Sequence, residues 1–267
     1  MADRRTGLVI FTLLLTLVCS GFAQQDPREV NGRMWTFDEP PVERFQSLYG
    51  FEADQAWLDD VRKSALRFGG GCSASFVSPE GLVMTNYHCG IESVDKVTRE
   101  GENLRVDGFY AATPEEERRV PELFVDQLME IIDVTSEIVG AMSAATNAEE
   151  AFSARDAAMQ AVTERLTADG LRCEVVTFYN GARYSAYCYK RHDDVRLVFS
   201  SELHFAFFGG IYDFWAYPRW SFDCDLFRVY EDGRPLKTDH YYRWSEAGAK
   251  EDEAVFVIGN PGRTNRL

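Results

Sequence analysis

The sequence contains no Cys-x-x-Cys pair and no His-Glu-x-x-His motif, and only four of its 267 residues are histidine. Those motifs provide the usual ligand spacings of zinc sites, so a metal has little support, and no other cofactor is implied. Basic residues are also scarce: 28 Lys and Arg stand against 43 Asp and Glu, which gives a formal net charge of −15. A phosphate backbone would repel such a chain, which argues against nucleic acids and anionic membranes as partners.

The amino terminus has the pattern of a targeting segment. Two arginines precede an apolar run from Leu8 to Val18, and Gly21 and Ala23 place small residues at positions −3 and −1 of a cleavage site. This order predicts a secretory signal peptide over residues 1–23. The apolar run is too short to span a bilayer comfortably, and polar residues follow it.

Lipidation at Cys19 is the alternative to cleavage after Ala23, but Val18 stands where lipoprotein processing expects a small residue. We therefore expect an exported mature chain, residues 24–267, that is periplasmic or secreted and is not inserted in the membrane after cleavage. A composition of 45% hydrophobic and 13% aromatic residues allows a proper core, and the length suits one or two domains.

Five cysteines remain in the mature chain: Cys72, Cys89, Cys173, Cys188 and Cys224. In an oxidising compartment they are expected to form disulfides rather than to bind a metal. Cys224 has no obvious mate within the chain.

Hydrophobic spacing predicts a mostly β fold with inserted helices. Amphipathic helices are expected over Gln55–Phe68 and Glu149–Asp169. Ser73–Val77 and Leu82–Thr85 are typical of a hairpin, because the intervening Ser78–Gly81 fits a type I turn. Further strands are expected at Leu128–Val134, Asp194–Phe199, Asp225–Tyr230 and Ala254–Ile258.

Asn180-Gly181 is a strong hairpin signal between two runs of strand-forming residues. If these two residues form the whole loop, counting outward places Cys173 opposite Cys188. Directly opposed strand residues lie about 4.5–5.5 Å apart at Cα, within reach of a disulfide. The register therefore predicts a Cys173–Cys188 bond.

Three of the four histidines are not favoured for acid–base chemistry. His192 stands among charged residues and is expected in a solvated turn. His204 lies among phenylalanines, where a packed side chain is expected, and His240 is expected at the surface near a turn.

His88 differs from the other histidines, because it follows the first hairpin and is expected to end a strand. Its neighbour Cys89 can bond to Cys72 across that hairpin, and such a bond would hold the imidazole as a general base requires. One rigid histidine alone does not distinguish a catalytic base from a structural residue.

Several ordered blocks resemble the bacterial serine dipeptidyl-peptidases of types 7 and 11, a chymotrypsin-like family. Phe68–Cys72 and Phe76–Cys89 are similar to its catalytic-histidine region, in which a TNHHC-type segment ends in the catalytic histidine and a cysteine. Tyr87 replaces the first histidine here, so the resemblance implies that His88 is the catalytic one. The other similar blocks are Met34–Asp38, Asp194–Val198, Phe208–Arg219 and Gly259–Arg266.

The same resemblance implies a catalytic acid. The family sequence WPRHTGDFSLFRVY aligns with Tyr217–Tyr230, and its aspartate falls on Asp223. The implied role is to accept a hydrogen bond from the imidazole and to stabilise the imidazolium. On composition alone Asp225 is a competitor, because it stands two residues on and points to the same face; the alignment favours Asp223.

Fold and activity follow as expectations from the resemblance. It implies the first β-barrel of a double-barrel peptidase, over residues 24–267, and the release of dipeptides from peptide amino termini. The family serine lies in a GNSGSP-like segment of the second barrel, and no such segment occurs before Leu267. We therefore expect a partner half that supplies the nucleophile, and little activity from this chain alone.

Departures near the substrate site favour a rival interpretation. Phe214 stands where the family has an Asn that binds the free amino terminus of the peptide, whereas Trp215 matches and is implied to contact the substrate. Trp220, Phe222 and Cys224 replace the usual His, Gly and Phe beside the acid. The rival is a non-catalytic peptide-binding or scaffold module, and a trypsin-like endopeptidase is a third possibility.

Overall fold

The structure, a computed structural model, describes most of the chain after the expected signal peptide, which lies outside the described residues. The described ranges are 35–167, 170–206, 221–251 and 253–260. The described residues 35–41 belong to a unit of their own, in which the amide of Glu39 donates to the carbonyl oxygen of Thr36 over 3.2 Å. The second unit begins at Val42 and contains all the helices and strands below.

Antiparallel strands form a single sheet in the described part of this second unit. They are β1 (Ala65–Phe68), β2 (Cys72–Phe76), β3 (Leu82–Thr85), β4 (Phe109–Tyr110), β5 (Arg118–Arg119), β6 (Val125–Asp133), β7 (Leu171–Phe178), β8 (Arg183–His192), β9 (Val195–Ser200), β10 (Asp225–Glu231) and β11 (Arg234–Pro235). Their order is β4-β9-β10-β3-β2-β1-β6-β8-β7, with β5 also beside β9 and β11 beside β10. The mostly β fold expected from the sequence is confirmed.

Helices interrupt the strand order early and in the middle of the chain. They are α1 (Val42–Tyr49), α2 (Gln55–Ser64), α3 (Tyr87–Val97), α4 (Leu104–Asp107), α5 (Thr135–Met142), α6 (Ala148–Leu166) and α7 (Leu203–Ala206). The helix expected at Glu149–Asp169 is confirmed as α6, and three of the four further strands expected from the sequence are confirmed as β6, β9 and β10, with bounds shifted by a few residues.

The helix expected over Gln55–Phe68 is wrong in its last turn. Asp54 caps α2 by accepting from the amide of Trp57 over 2.7 Å, but the helix ends at Ser64 and Ala65–Phe68 is a strand. This strand pairs with β2 on one side and β6 on the other, so tertiary pairing satisfies its backbone groups better than another helical turn would. The spacing of apolar residues in this segment fits the period of a helix as well as that of a strand.

The larger core lies between the central strands and α3. Fully buried side chains from five strands form it, namely Leu66, Phe76, Val83, Leu197 and Phe227. Val94 and Val97 anchor the inner face of α3 in this cluster. Because β2 and β3 form the expected hairpin immediately before α3, the core fixes where the first turn of that helix begins.

The predicted β7–β8 hairpin is confirmed in register. Cys173 faces Cys188 and the two form a disulfide. The loop is longer than two residues, since the last pair is Phe178 with Arg183 and Tyr179, Asn180 and Gly181 all have positive φ. Four loop residues preserve the same register as the expected two-residue loop, because both are centred on Asn180-Gly181.

The strand expected at Ala254–Ile258 is wrong: these residues have no regular secondary structure. Phe256 instead packs in an aromatic cluster, with its ring centroid 4.8 Å from that of Phe45 and 5.7 Å from that of Trp57. The neighbouring Val257 is 98% exposed. The alternation of apolar residues in this segment therefore reflects one side chain that packs and a neighbour that is exposed. The segment does not pair with the strands described above.

Among the residues that the structure describes, no helix has the length and apolar character of a membrane span.

A smaller core lies between α5, α6 and β8, and a substitution in it tests how these elements pack. Ile138→Ala is expected to lower the free energy of unfolding by about 2–5 kcal/mol, because Ile138 is fully buried against Val162, Tyr184 and Ala186 and its truncation leaves a cavity. Val139→Ala is the matched control, since its side chain is half exposed, and should change the value by less than about 1 kcal/mol. Urea denaturation measures both, and equal losses would contradict this packing.

Candidate active site

His88 is the second residue of α3 rather than the last residue of a strand. Strand β3 ends at Thr85, and Asn86 is extended (φ −73°, ψ 147°) before the helix begins at Tyr87. The chain thus turns from strand to helix within one residue. This turn places the imidazole at the end of the β2–β3 hairpin, where its side chain is 48% exposed.

A disulfide anchors the first turn of α3, as the sequence predicts. Cys89 follows His88 directly and is bonded to Cys72, the first residue of β2, with 6.2 Å between the Cα atoms. Both cysteines pack against the larger core. The residue next to the imidazole is therefore covalently tied to a central strand.

Asp223 lies directly against His88. Its Oδ2 is 2.8 Å from Nδ1 of the imidazole, and its Oδ1 accepts from the backbone amide of His88 over 3.1 Å. The side-chain amide of Asn86 donates to Oδ2 over 3.1 Å and to the Asp223 carbonyl oxygen over 3.3 Å. Both carboxylate oxygens are thus occupied, and the Asp223 side chain is only 18% exposed.

This geometry determines which ring nitrogen is free. An ionised carboxylate can only accept hydrogen bonds, so the proton of the neutral imidazole is on Nδ1 and the Nε2 lone pair is available. Because Asp223 also accepts from the amide of His88, the ring and the backbone are fixed by one side chain. The pair can take a proton at Nε2 and stabilise the resulting imidazolium.

Asn86 is a site residue that the sequence reasoning missed. Asparagine before a helix usually caps it, but this side chain makes no capping bond and reaches Asp223 instead. An Asn that follows a strand and stands two residues before a candidate base was the available signal.

The segment that precedes β10 is held in place by two bonds to the region of α7. The amide of Phe222 donates to the Phe205 carbonyl oxygen over 3.0 Å, and the Ser221 hydroxyl donates to that of Ala206 over 2.8 Å. The rings of Phe222 and Phe205 stack with centroids 5.6 Å apart. Asp223 is therefore presented from a fixed segment with an exposed aromatic pair beside it.

The competitor Asp225 is not at the imidazole. It is fully buried at the start of β10, and burial raises the pKa of its carboxyl group to about 8. Cys224 between the two acids is a free thiol whose pKa burial raises to about 11. Neither group makes a hydrogen bond to His88 in the described structure.

A shallow groove of about 240 Å³ begins beside the pair. Its walls come from β2, β3 and the segments at Asp223 and Ile258, and its lining residues are Ser73, Ala74, Ser75, Met84, Thr85, Asn86, Asp223, Cys224 and Ile258. An extended peptide laid along these strand ends would pass next to Asp223 and Asn86.

Two expectations about the other histidines are wrong, and one is partly right. His192 is buried at the end of β8, with its ring 6.1 Å from that of Phe76, and burial lowers its pKa to about 4. His204 is exposed rather than packed, and the neighbouring Phe205 is exposed as well. His240 is partly exposed, and its Nδ1 lies 2.8 Å from Asp60.

Some predicted site residues lie outside the described residues, namely Phe214, Trp215 and Trp220. In the ranges that the structure describes, no group of three or more His, Cys, Asp or Glu side chains is arranged to hold a metal ion.

Comparisons with known proteins identify the family of this chain. The model of the Peptidase S46 family matches residues 30–267. Dipeptidyl-peptidase 7 of Porphyromonas gingivalis is 29% identical over 97% of this chain and 38% of its own length. The Asp/Glu-specific dipeptidyl-peptidase of Porphyromonas endodontalis is 31% identical over 96% of this chain and 38% of its own length.

Solved structures give the same result for the fold. The crystal structure of Porphyromonas endodontalis DPP11 in complex with substrate matches with a TM-score of 0.70 and 28% identity, over 83% of this chain and 36% of that chain. This match confirms the expected chymotrypsin-like fold class. The chain spans 38% of the length of the two dipeptidyl-peptidases named above. A family model that covers nearly the whole chain shows that the protein belongs to the Peptidase S46 family.

Proposed function

We propose that this chain supplies the general base and its orienting acid to a serine dipeptidyl-peptidase that releases dipeptides from peptide amino termini. The observation on which this depends is the double contact between Asp223 and His88, through the ring Nδ1 at 2.8 Å and the backbone amide at 3.1 Å. Residues 24–267 would form the first barrel, after a signal peptide at residues 1–23. The family membership and the dipeptidyl-peptidase names of its relatives support the reaction class.

The catalytic steps follow from the free Nε2 of His88. This nitrogen would accept the proton of a serine hydroxyl as the serine attacks the peptide carbonyl, and would then give the proton to the leaving amine. Asp223 would stabilise the imidazolium between these two steps. We place the serine and the oxyanion hole in the part of the family protein that the match to this chain does not cover.

Pre-organisation of the pair supports a catalytic rather than a structural role. Three hydrogen bonds and the Cys72–Cys89 disulfide fix two side chains that are still accessible to solvent at the imidazole. Half exposure leaves the imidazole of His88 accessible to a substrate, as a general base requires. A base held in one orientation loses little conformational freedom when the substrate binds.

Export to an oxidising compartment is part of the proposal. Two disulfides, Cys72–Cys89 and Cys173–Cys188, support it, because such bonds persist outside the cytoplasm and are rare within it. Peptides present in the periplasm or outside the cell would then be the substrates.

A non-catalytic peptide-binding module is the second candidate. The bulky Phe222 stacked on Phe205 next to the acid favours it, since large side chains there reduce the room for a reacting peptide bond. Reading the gene beyond codon 267 separates the two candidates: an in-frame GNSGSP-like segment supports the enzyme, and its absence supports the module.

His88→Ala and Asp223→Asn are expected to lower kcat/KM of the full-length protein by about 10⁴-fold each, because the base is lost in one variant and loses its orienting acceptor in the other. Hydrolysis of dipeptidyl reporters with a free amino terminus measures this. His204→Ala is the matched control, since His204 is exposed and has no part in the pair. Unchanged rates for His88→Ala would remove this residue from the mechanism.

Loss of the disulfide next to the base has a separate consequence. The Cys72→Ala/Cys89→Ala double variant is expected to lower kcat by about 10- to 100-fold with a smaller change in KM, because the first turn of α3 becomes mobile. Cys173→Ala/Cys188→Ala is the matched control: it removes a disulfide from β7 and β8, at the far end of the sheet from β3 and β10. If both double variants lose kcat equally, the effect is one of stability and not of positioning.

A further inference from the structure

The mechanism leaves one buried carboxyl group without a role. Asp225 is the first residue of β10, two positions after Asp223, and its exposed fraction is 0%. Neither of its carboxylate oxygens has a hydrogen-bond partner among the residues that the structure describes. Because an ionised carboxylate without donors or a cation is strongly disfavoured inside a protein, this side chain is uncharged.

Asp225 contacts the same helical turn as Asp223. On α3, Gly90 follows His88 by two positions, just as Asp225 follows Asp223 at the start of β10. A Cβ added at Gly90 would overlap Oδ2 of Asp225 and would lie 3.0 Å from its Cγ. The carboxyl group of Asp225 therefore fills the notch that glycine leaves in the helix.

We infer that Asp225 is a positioning residue for the His88–Asp223 pair: its uncharged carboxyl group fills the notch at Gly90 and fixes the first turn of α3 against the start of β10. The two segments then have two contacts two residues apart, an outer hydrogen-bonded pair and an inner packed one. This inner contact adds to the Cys72–Cys89 bond in holding the first turn of α3. The catalytic consequence rests on the proposed function, but the positioning does not.

The surroundings explain why the carboxyl group keeps its proton. Burial raises the pKa of Asp225 to about 8; the nearby Ser200 hydroxyl opposes this rise, and the charge of Asp223 adds to it. The other titratable neighbours are Cys224 on the same segment and Tyr87 on α3. Strands β3 and β9 place Thr85 and Ser200 opposite Asp225, and neither residue is charged.

Ionisation at alkaline pH would oppose this packing. A second negative charge would form in a buried site next to Asp223. Because a buried charge without a partner is unfavourable, the carboxylate would move out of the notch towards solvent. In the unfolded chain Asp225 ionises at its ordinary value of 3.8, whereas the folded protein keeps the proton up to about pH 8. Folding stability therefore falls as the pH rises between these two values and levels off above the second.

The test uses NMR of the 267-residue chain, with the Cε1–H signal of His88 followed up to about pH 10. Besides the change that protonation of the ring itself causes, the wild-type signal should show a separate step at about pH 8, where Asp225 ionises. Asp225→Asn keeps the shape without the charge, so the step should vanish while the signal at neutral pH stays in place. Asp225→Ala empties the notch, and the His88 signal should shift or broaden at every pH.

A second measurement isolates the contact with Gly90. Gly90→Ala should lower the melting temperature, because its Cβ overlaps the carboxyl group of Asp225. In the Asp225→Ala background, Gly90→Ala should lower the melting temperature by less, because the space that the carboxyl group filled is then free for the new Cβ. Independent, additive changes would show that the two residues do not contact each other.

The inference is overturned if the step persists in Asp225→Asn, or if Asp225→Ala leaves the His88 signal unchanged. Should Asp225→Ala fail to fold, the comparison of wild type with Asp225→Asn decides alone. These signals report the geometry of His88 in the chain and require no peptidase activity. A chain that passes this test but whose full-length protein hydrolyses no dipeptidyl reporter would lose the proposed function and keep the positioning role.

Discussion

The hydrogen bond between His88 Nδ1 and Asp223 Oδ2 is the interaction on which the site depends. It joins a helix that follows β3 to a segment 135 residues later that enters β10, and these two strands are neighbours in the sheet. The sheet brings the segments within reach, and the Cys72–Cys89 bond and Asn86 then hold the side chains in one arrangement. The His88–Asp223 pair therefore lies at the end of one strand pair, β3 with β10.

Much of this arrangement follows from local sequence patterns. The β2–β3 hairpin was predictable because Pro79 and Gly81 suit the turn between two apolar runs. The Cys173–Cys188 pairing was predictable because the register of a hairpin depends only on where its loop is centred. His88 and Asp223 could be identified through the family resemblance, but no local sequence pattern indicates that their side chains are in contact.

The errors have a common physical cause, which is tertiary context. Ala65–Phe68 continues a helical pattern, yet it forms a strand that pairs with β2 and β6. Ala254–Ile258 has strand-like alternation, yet its packing is through Phe256 and not through backbone pairing. His192 has charged neighbours in sequence, yet it lies on the buried face of β8. Burial of this kind is decided by residues distant in the chain.

The central claim is that Asp223 holds His88 with its proton on Nδ1. Long-range proton–nitrogen NMR correlations of the chain measure this tautomer directly. The account predicts an Nδ1-protonated neutral ring in the wild type and loss of that preference in Asp223→Asn. A ring protonated on Nε2, unaffected by the substitution, would contradict it.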